Sequence, residues 1–342
     1  MAVEKRQYQM ISVYKFILCI LVVFLHNKTA DYFSLTEGQY KIYNFVTYYV
    51  PQLAVPSFML ISGYLMFRGY KKETVRNKIT RRLAKLIPAY LFWNVAAIPY
   101  SVMVTGYNRQ FSNVLDILSG GDILTYKFNF PLWYIFDLVI FIVISPLFYT
   151  LLKSRKTGAF IIFLAYLLYS MQIGLPDIMF RDDVHLYYMV GAYAGIHCSS
   201  VKIKNFDWVI LLGAGFIGLV FLQFYWESWL RVVMLSVYSI GMTIGWTQIE
   251  ENRFLPSKLC NIAVSNTFIY YTHFFFIGGI KKAIGIIFRK CSLDGLFWCF
   301  VAFFTSTIIC VIVIVFLRKV LLLMMEKVKN QKVKQMVSVL IP

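Results

Sequence analysis

Apolar runs long enough to cross a bilayer, separated by short polar segments rich in Lys and Arg, constrain this chain more than any other feature of its sequence. Polar clusters bound runs near residues 11–27, 46–67, 84–105, 131–152, 158–174, 185–198, 208–225, 230–247, 262–280 and 295–317. A hydrocarbon core about 30 Å thick needs ~20 residues of helix, and a segment without access to water must satisfy its backbone internally. The expected fold class is therefore all-α, a polytopic transmembrane helix bundle of about ten spans, the sixth being the shortest. Charge supports the same reading. Only 15% of residues are charged, against about 25% in soluble domains, so no separate soluble catalytic domain fits in the 342 residues.

The charges that remain are unevenly spread. With the N-terminus inside, the cytoplasmic segments hold 23 of the 34 Lys and Arg, eight of them between Arg68 and Lys85. Ten fall on the other side, and Lys15 lies within the first span. Both termini are thus expected in the cytoplasm. Lys281, Lys282, Arg289 and Lys290 fall outside, on an amphipathic stretch, 280–290, that suits the interface plane. The excess of +18 reads as topology and contact with anionic lipid, not as nucleic-acid binding, because no basic motif interleaved with exposed aromatics lies outside the spans. The first apolar run is interrupted by Lys15 and followed by His-Asn-Lys-Thr rather than a cleavage site, so it is expected to stay as a transmembrane helix. None of the six cysteines has CxxC or Cys/His spacing, and no metal is expected. Without repeats or linkers the chain reads as a single integral membrane domain, 1–342, with a basic cytoplasmic tail over 319–342. The outer loops 28–45 and 106–130 are the longest and the natural places for a lid or a substrate-facing helix.

An ionisable side chain inside a span is costly and marks a functional candidate. Lys15, His26, Asp137 and His273 qualify, and His185 and His197 at the ends of the sixth run are weaker candidates. Lys15 and His26 are eleven residues apart, close to three helical turns, so they share one face about 16 Å apart along the axis. Asp137 follows Trp133 by one turn and points the same way. It is read either as orienting His26 or as the partner of Lys15 or another buried cation. Ser62-Gly63 suits close helix approach or a local break, not nucleophilic chemistry. Tyr48, Tyr49, Trp226 and Trp229 are either belt aromatics or sugar-stacking platforms.

Five segments in order carry a family likeness: Lys15 with His26, Phe58 to Tyr64, Arg82 with Lys85 before Pro88, Leu132-Trp133-Tyr134, and Ser265 to His273. Together they resemble the acyltransferase 3 family of integral membrane acyltransferases over residues 8–275. Lys replaces the family's usual Arg at positions 15 and 85, and an ammonium meets phosphate as a point charge where a guanidinium binds it in two-pronged fashion.

The resemblance implies transfer of an acyl group, usually acetyl in the family, from cytoplasmic acyl-CoA to a hydroxyl on a cell-surface glycan or lipid-linked sugar in a bacterial inner or plasma membrane. Acetyl-CoA is then the donor, a carbohydrate or glycolipid the acceptor and membrane lipid the surroundings. Lys15, Arg81, Arg82 and Lys85 suit the polyanionic end of the donor, although ordinary positive-inside bias explains the same basic residues. His26 is the expected general base on the acceptor hydroxyl, a covalent acyl-histidine being the less favoured variant. Asp137 joins it as the second catalytic candidate, and Trp133, Tyr270 and His273 are the expected acceptor-side residues. The competing class is a multi-pass transporter or flippase, which would use Lys15, His26 and Asp137 as an ion or substrate path. A non-catalytic membrane partner would leave the Lys15/His26 spacing to chance.

Overall fold

The computed structural model describes residues 2–104, 129–171, 184–198, 207–247 and 257–341. Among these the regular structure is entirely helical, as the sequence requires. The helices are α1 (Ala2–His26), α2 (Glu37–Asn44), α3 (Ala54–Phe67), α4 (Lys72–Val104), α5 (Trp133–Val143), α6 (Ser145–Leu152) and α7 (Arg155–Ser170). They continue with α8 (Val184–His197), α9 (Asp207–Leu222), α10 (Arg231–Thr247), α11 (Ser257–Ala263), α12 (Asn266–Lys290), α13 (Leu296–Glu326) and α14 (Gln331–Leu340).

Among the described residues, three stretches are long and apolar enough to cross a membrane: Gln9–Tyr32, Glu37–Phe67 and Leu296–Glu326. A fourth, Phe130–Val143 with Ser145–Leu152, qualifies only as a pair bent by 63°. The bend falls within the expected run 131–152, where Pro146 lacks the N–H that would continue the ladder. Helices α7 to α10 occupy four further expected runs but have only 16, 14, 16 and 17 residues, short of the ~20 that a span at right angles to the bilayer needs.

Three expected boundaries move. The basic segment before residue 84 is not a loop, because α4 starts at Lys72 and carries Arg81, Arg82 and Lys85 on helix. Lys, Arg, Glu and Leu are good helix formers, and Pro88 and Pro99 are accommodated inside the helix. Helix α12 likewise runs unbroken past the expected end of its run at 280, and 280–290 forms its last turns. Helix α13 also passes the expected end of its run at 317, reaching Glu326.

Contact density divides the chain into two compact units. The first comprises Met1–Leu21, Tyr48–Thr80 and Ile140–Ala263. At its centre α3 and α8 approach closely because glycines leave room for backbone. A Cβ at Gly63 would meet the carbonyl of Tyr188, and one at Gly191 would meet the carbonyl of Leu60. This is the small-residue packing available to helices that gain nothing from burying apolar surface away from lipid. Polar groups tie in further helices: the Tyr14 hydroxyl lies 3.2 Å from both Ser57 Oγ and Thr243 Oγ1, and Thr243 donates to Ser57 at 2.8 Å.

The second unit comprises Val22–Thr47, Arg81–Val139 and Val264–Pro342. Its α13 buries Cys299, Ala302, Ser306, Thr307 and Cys310, and exposes Ile308, Ile312 and Phe316. Apart from Phe303 and Ile314, which are also buried, large apolar side chains outward and small or polar ones inward invert the pattern of a soluble helix and suit a lipid surround. The segment considered as a lid, 28–45, is anchored in this unit at Thr29 and Tyr43, its buried residues. Tyr43 is buried with Cys299 and Phe303, and Thr36 caps α2 through a reciprocal capping box with Gln39. The other lid candidate, 106–130, falls mostly outside the described residues.

Candidate functional site

The second unit brings together the two histidines that the sequence places almost 250 residues apart. Helix α1 ends at His26, and the chain leaves it through Asn27, whose N–H donates to Phe24 O at 3.1 Å. Asn27 is fully buried. Its amide nitrogen lies 2.8 Å from Phe303 O, 2.7 Å from Ser306 Oγ and 2.9 Å from Thr307 Oγ1. Two amide hydrogens shared among three acceptors on one turn of α13 fix the end of α1 against that helix. Lys281 of α12 donates to the His26 carbonyl at 3.4 Å, satisfying an orphan acceptor at a helix C-terminus where positive charge is favourable.

The His26 ring, partly accessible, sits 5.3 Å from the His273 ring, centroid to centroid, with a tilt of 42°. His273 is fully buried. Its Nδ1 lies 2.8 Å from Tyr270 O and 3.1 Å from Ile269 O. Carbonyls only accept, so Nδ1 carries the proton. In the neutral ring Nε2 is then the acceptor, and this atom is buried with no hydrogen-bond partner among the described residues. A buried lone pair without a partner beside a second imidazole is the most chemically pointed feature of the unit.

Trp133 and Asp137 stand one turn apart on α5, both buried. Neither carboxyl oxygen of Asp137 has a hydrogen-bond partner among the described residues. Among the described residues, the expected bond from Asp137 to His26 is therefore not made. The start of α5 is held instead by Asn129, whose N–H donates to Asn94 Oδ1 at 3.1 Å and whose amide donates to Tyr271 O at 3.2 Å. Tyr270, expected on the acceptor side, gives its hydroxyl to the Pro131 carbonyl, and its ring meets Tyr134 edge-on at 5.7 Å.

The expected donor-side residues are set out on helices. Lys15 lies half-buried in α1 within the first unit. Arg81 and Lys85 are exposed on α4, and Arg82 between them is half-buried. Of the weaker candidates, His197 bonds to Leu152 O through Nε2 at 2.8 Å, a structural tie at the end of α8. His185 is enclosed by Tyr169 and Phe141, its ring nitrogens unpartnered among the described residues. Tyr48 and Tyr49 converge on Trp226, at 5.3 and 5.8 Å, and Arg231 lies over the same indole.

At the periphery of the second unit, Asp294 Oδ1 accepts from the N–H groups of Ser34 and Gly295, both at 2.7 Å. Those two donors hold its carboxyl below the usual carboxylate range.

Asn27, Asn129 and Lys281 are the residues that sequence reading misses. Their partners are remote in sequence, and the local signal is only a polar residue at the edge of a span.

The buried His273 and the partly accessible His26 thus pair within a helical unit whose α13 turns large apolar side chains outward. The family model for an acyltransferase domain matches residues 10–316, and the chain belongs to this acyltransferase 3 family. The succinoglycan biosynthesis protein ExoH of Rhizobium meliloti (strain 1021) is 24% identical over 267 residues, covering 70% of each chain. No solved structure matches the chain.

Proposed function

We propose that the protein is a bacterial O-acyltransferase of the cell membrane that transfers an acyl group, acetyl in our reading, from cytoplasmic acyl-CoA to a hydroxyl of a glycan or lipid-linked sugar. The family match supports the reaction class, and the relative's role in succinoglycan biosynthesis favours a glycan acceptor. The single observation that carries the reading is the His26–His273 ring pair at 5.3 Å, because a second imidazole holding an unused lone pair has no evident structural purpose there. The reading retains ten spans in one membrane domain, with both termini and the basic segment beyond 319 in the cytoplasm.

In this scheme His26 takes the proton of the acceptor hydroxyl as its oxygen attacks the thioester carbonyl. The tetrahedral adduct collapses by breaking the C–S bond, and the departing CoA sulfur receives the proton from His26. Arg81, Arg82 and Lys85 form a helical comb of positive charge for the donor's phosphates, with Lys15 a further point charge on the face of α1 that bears His26. Trp133 offers an apolar surface for a sugar ring, Tyr270 sets that surface through Pro131, and Asp137 accepts from an acceptor hydroxyl. The test is acyl transfer by His26→Ala in native membranes, with labelled acetyl-CoA and succinyl-CoA supplied separately. We expect normal insertion and loss of transfer by at least ~100-fold. Full activity removes His26 from the mechanism, and transfer only from succinyl-CoA in the unaltered protein overturns the acetyl assignment.

A further inference from the structure

The two nitrogens of His273 have unequal roles. Nδ1–H is committed to the carbonyls of Ile269 and Tyr270, one turn back on its own helix. That bonding fixes the tautomer and leaves Nε2 as a buried acceptor without a partner among the described residues. The centroid of the His26 ring lies 5.3 Å from that of His273, and His26 is itself held through its neighbour Asn27, bonded to α13, and by Lys281 on its carbonyl. Both rings thus stand on braced backbone. In apo sites such pairs commonly sit wider than a hydrogen bond and tighten when substrate binds.

We infer that His273 is the positioning residue of the reaction: its Nε2 accepts the N–H of His26 and so directs the other, unprotonated nitrogen of His26 to the acceptor hydroxyl. This rests on the proposed role of His26 and replaces the acceptor-binding role expected of His273. A base needs a partner that selects its tautomer, as a carboxylate does in hydrolase triads. Asp137 makes no such bond to His26 among the described residues. Here a neutral imidazole does the task, with its own tautomer set by main chain. No proton leaves His273 in the cycle: the proton taken from the hydroxyl travels on the opposite nitrogen of His26 to the leaving thiolate, and the His26–His273 hydrogen bond persists.

Two amide variants separate this from a purely structural role. In His273→Asn the side-chain amide can still donate to the Ile269 and Tyr270 carbonyls but puts no atom where Nε2 was. In His273→Gln an acceptor oxygen reaches the Nε2 position. The expected result is that both variants insert and bind acyl-CoA with KM unchanged, while kcat falls about 10- to 100-fold in the Asn variant, a magnitude typical of losing an imidazole's orienting partner, and recovers substantially in the Gln variant. Combining His273→Asn with His26→Ala should cost no more than His26→Ala alone. Equal activity of the Asn and Gln variants, or losses that multiply in the double variant, would overturn the inference while leaving the base assignment standing. An active His26→Ala removes the base assignment itself.

Discussion

Asn27 Nδ2 lies 2.7 Å from Ser306 Oγ, and Ser306 Oγ lies 3.1 Å from Asn27 Oδ1, so the residue that follows His26 is locked to α13 in both directions. Asn27→Ala removes the lock and leaves buried polar groups on Ser306 and Thr307 with fewer partners. The cost should be about 1–3 kcal/mol. We expect a lower unfolding midpoint in detergent and reduced transfer at temperatures where the variant is still folded. A variant as stable as the parent would show that the lock carries no energy.

Gly191 and Gly38 give opposite expectations for the same change. A methyl group at Gly191 runs into the backbone of Leu60, while nothing lies within 4 Å of the position a Cβ would take at Gly38. Gly191→Ala should destabilise by about 1–3 kcal/mol through overpacking, and Gly38→Ala, within α2, should be neutral or stabilising by up to ~1 kcal/mol. Thermal unfolding of the two solubilised variants decides this, and equal midpoints would contradict the close packing of α3 on α8.

Asp294 should make stability depend on acid. The folded state holds its carboxyl below the usual value through the Ser34 and Gly295 amides, so the charged form is favoured in the native protein. That contribution is complete above the unfolded carboxylate value of ~3.9 and disappears as pH falls through the lower folded value. The gap in unfolding midpoint between the parent and Asp294→Asn should be constant near neutrality and close below about pH 4. A gap that widens in acid would mean the bonds to Ser34 and Gly295 do not favour the carboxylate.

Asp137→Asn should leave folding intact, because the carboxyl makes no hydrogen bond among the described residues and the volume is nearly unchanged. If the carboxyl meets the acceptor as proposed, KM for the acceptor should rise by about tenfold or more with KM for acyl-CoA unaltered, as a lost charge-assisted hydrogen bond would give. Unchanged acceptor kinetics would return Asp137 to the framework.

Sequence alone reached the all-helical class and the ionisable residues within the apolar runs, because both follow from what lipid forbids. Lys15, His26, Asp137 and His273 stand out only since so few charges occur there. The helical state of 72–83 was missed because positive charges at the edge of a run read as loop, although their intrinsic propensity is helical. The bend between α5 and α6 was missed because hydropathy is blind to backbone direction, even with Pro146 in view. The pairing of His26 with His273 was out of reach for a different reason. Two histidines on separate helices carry no mutual periodicity, and Asn27, which fixes one of them, looks like any polar residue that ends a span.

The hydrogen bonds that hold His273 have both ends on α12. Any substitution that keeps this turn helical therefore keeps the ring's tautomer, whatever happens on neighbouring helices. Under the positioning role proposed for His273, the surfaces that choose the acceptor can change without retuning the imidazole.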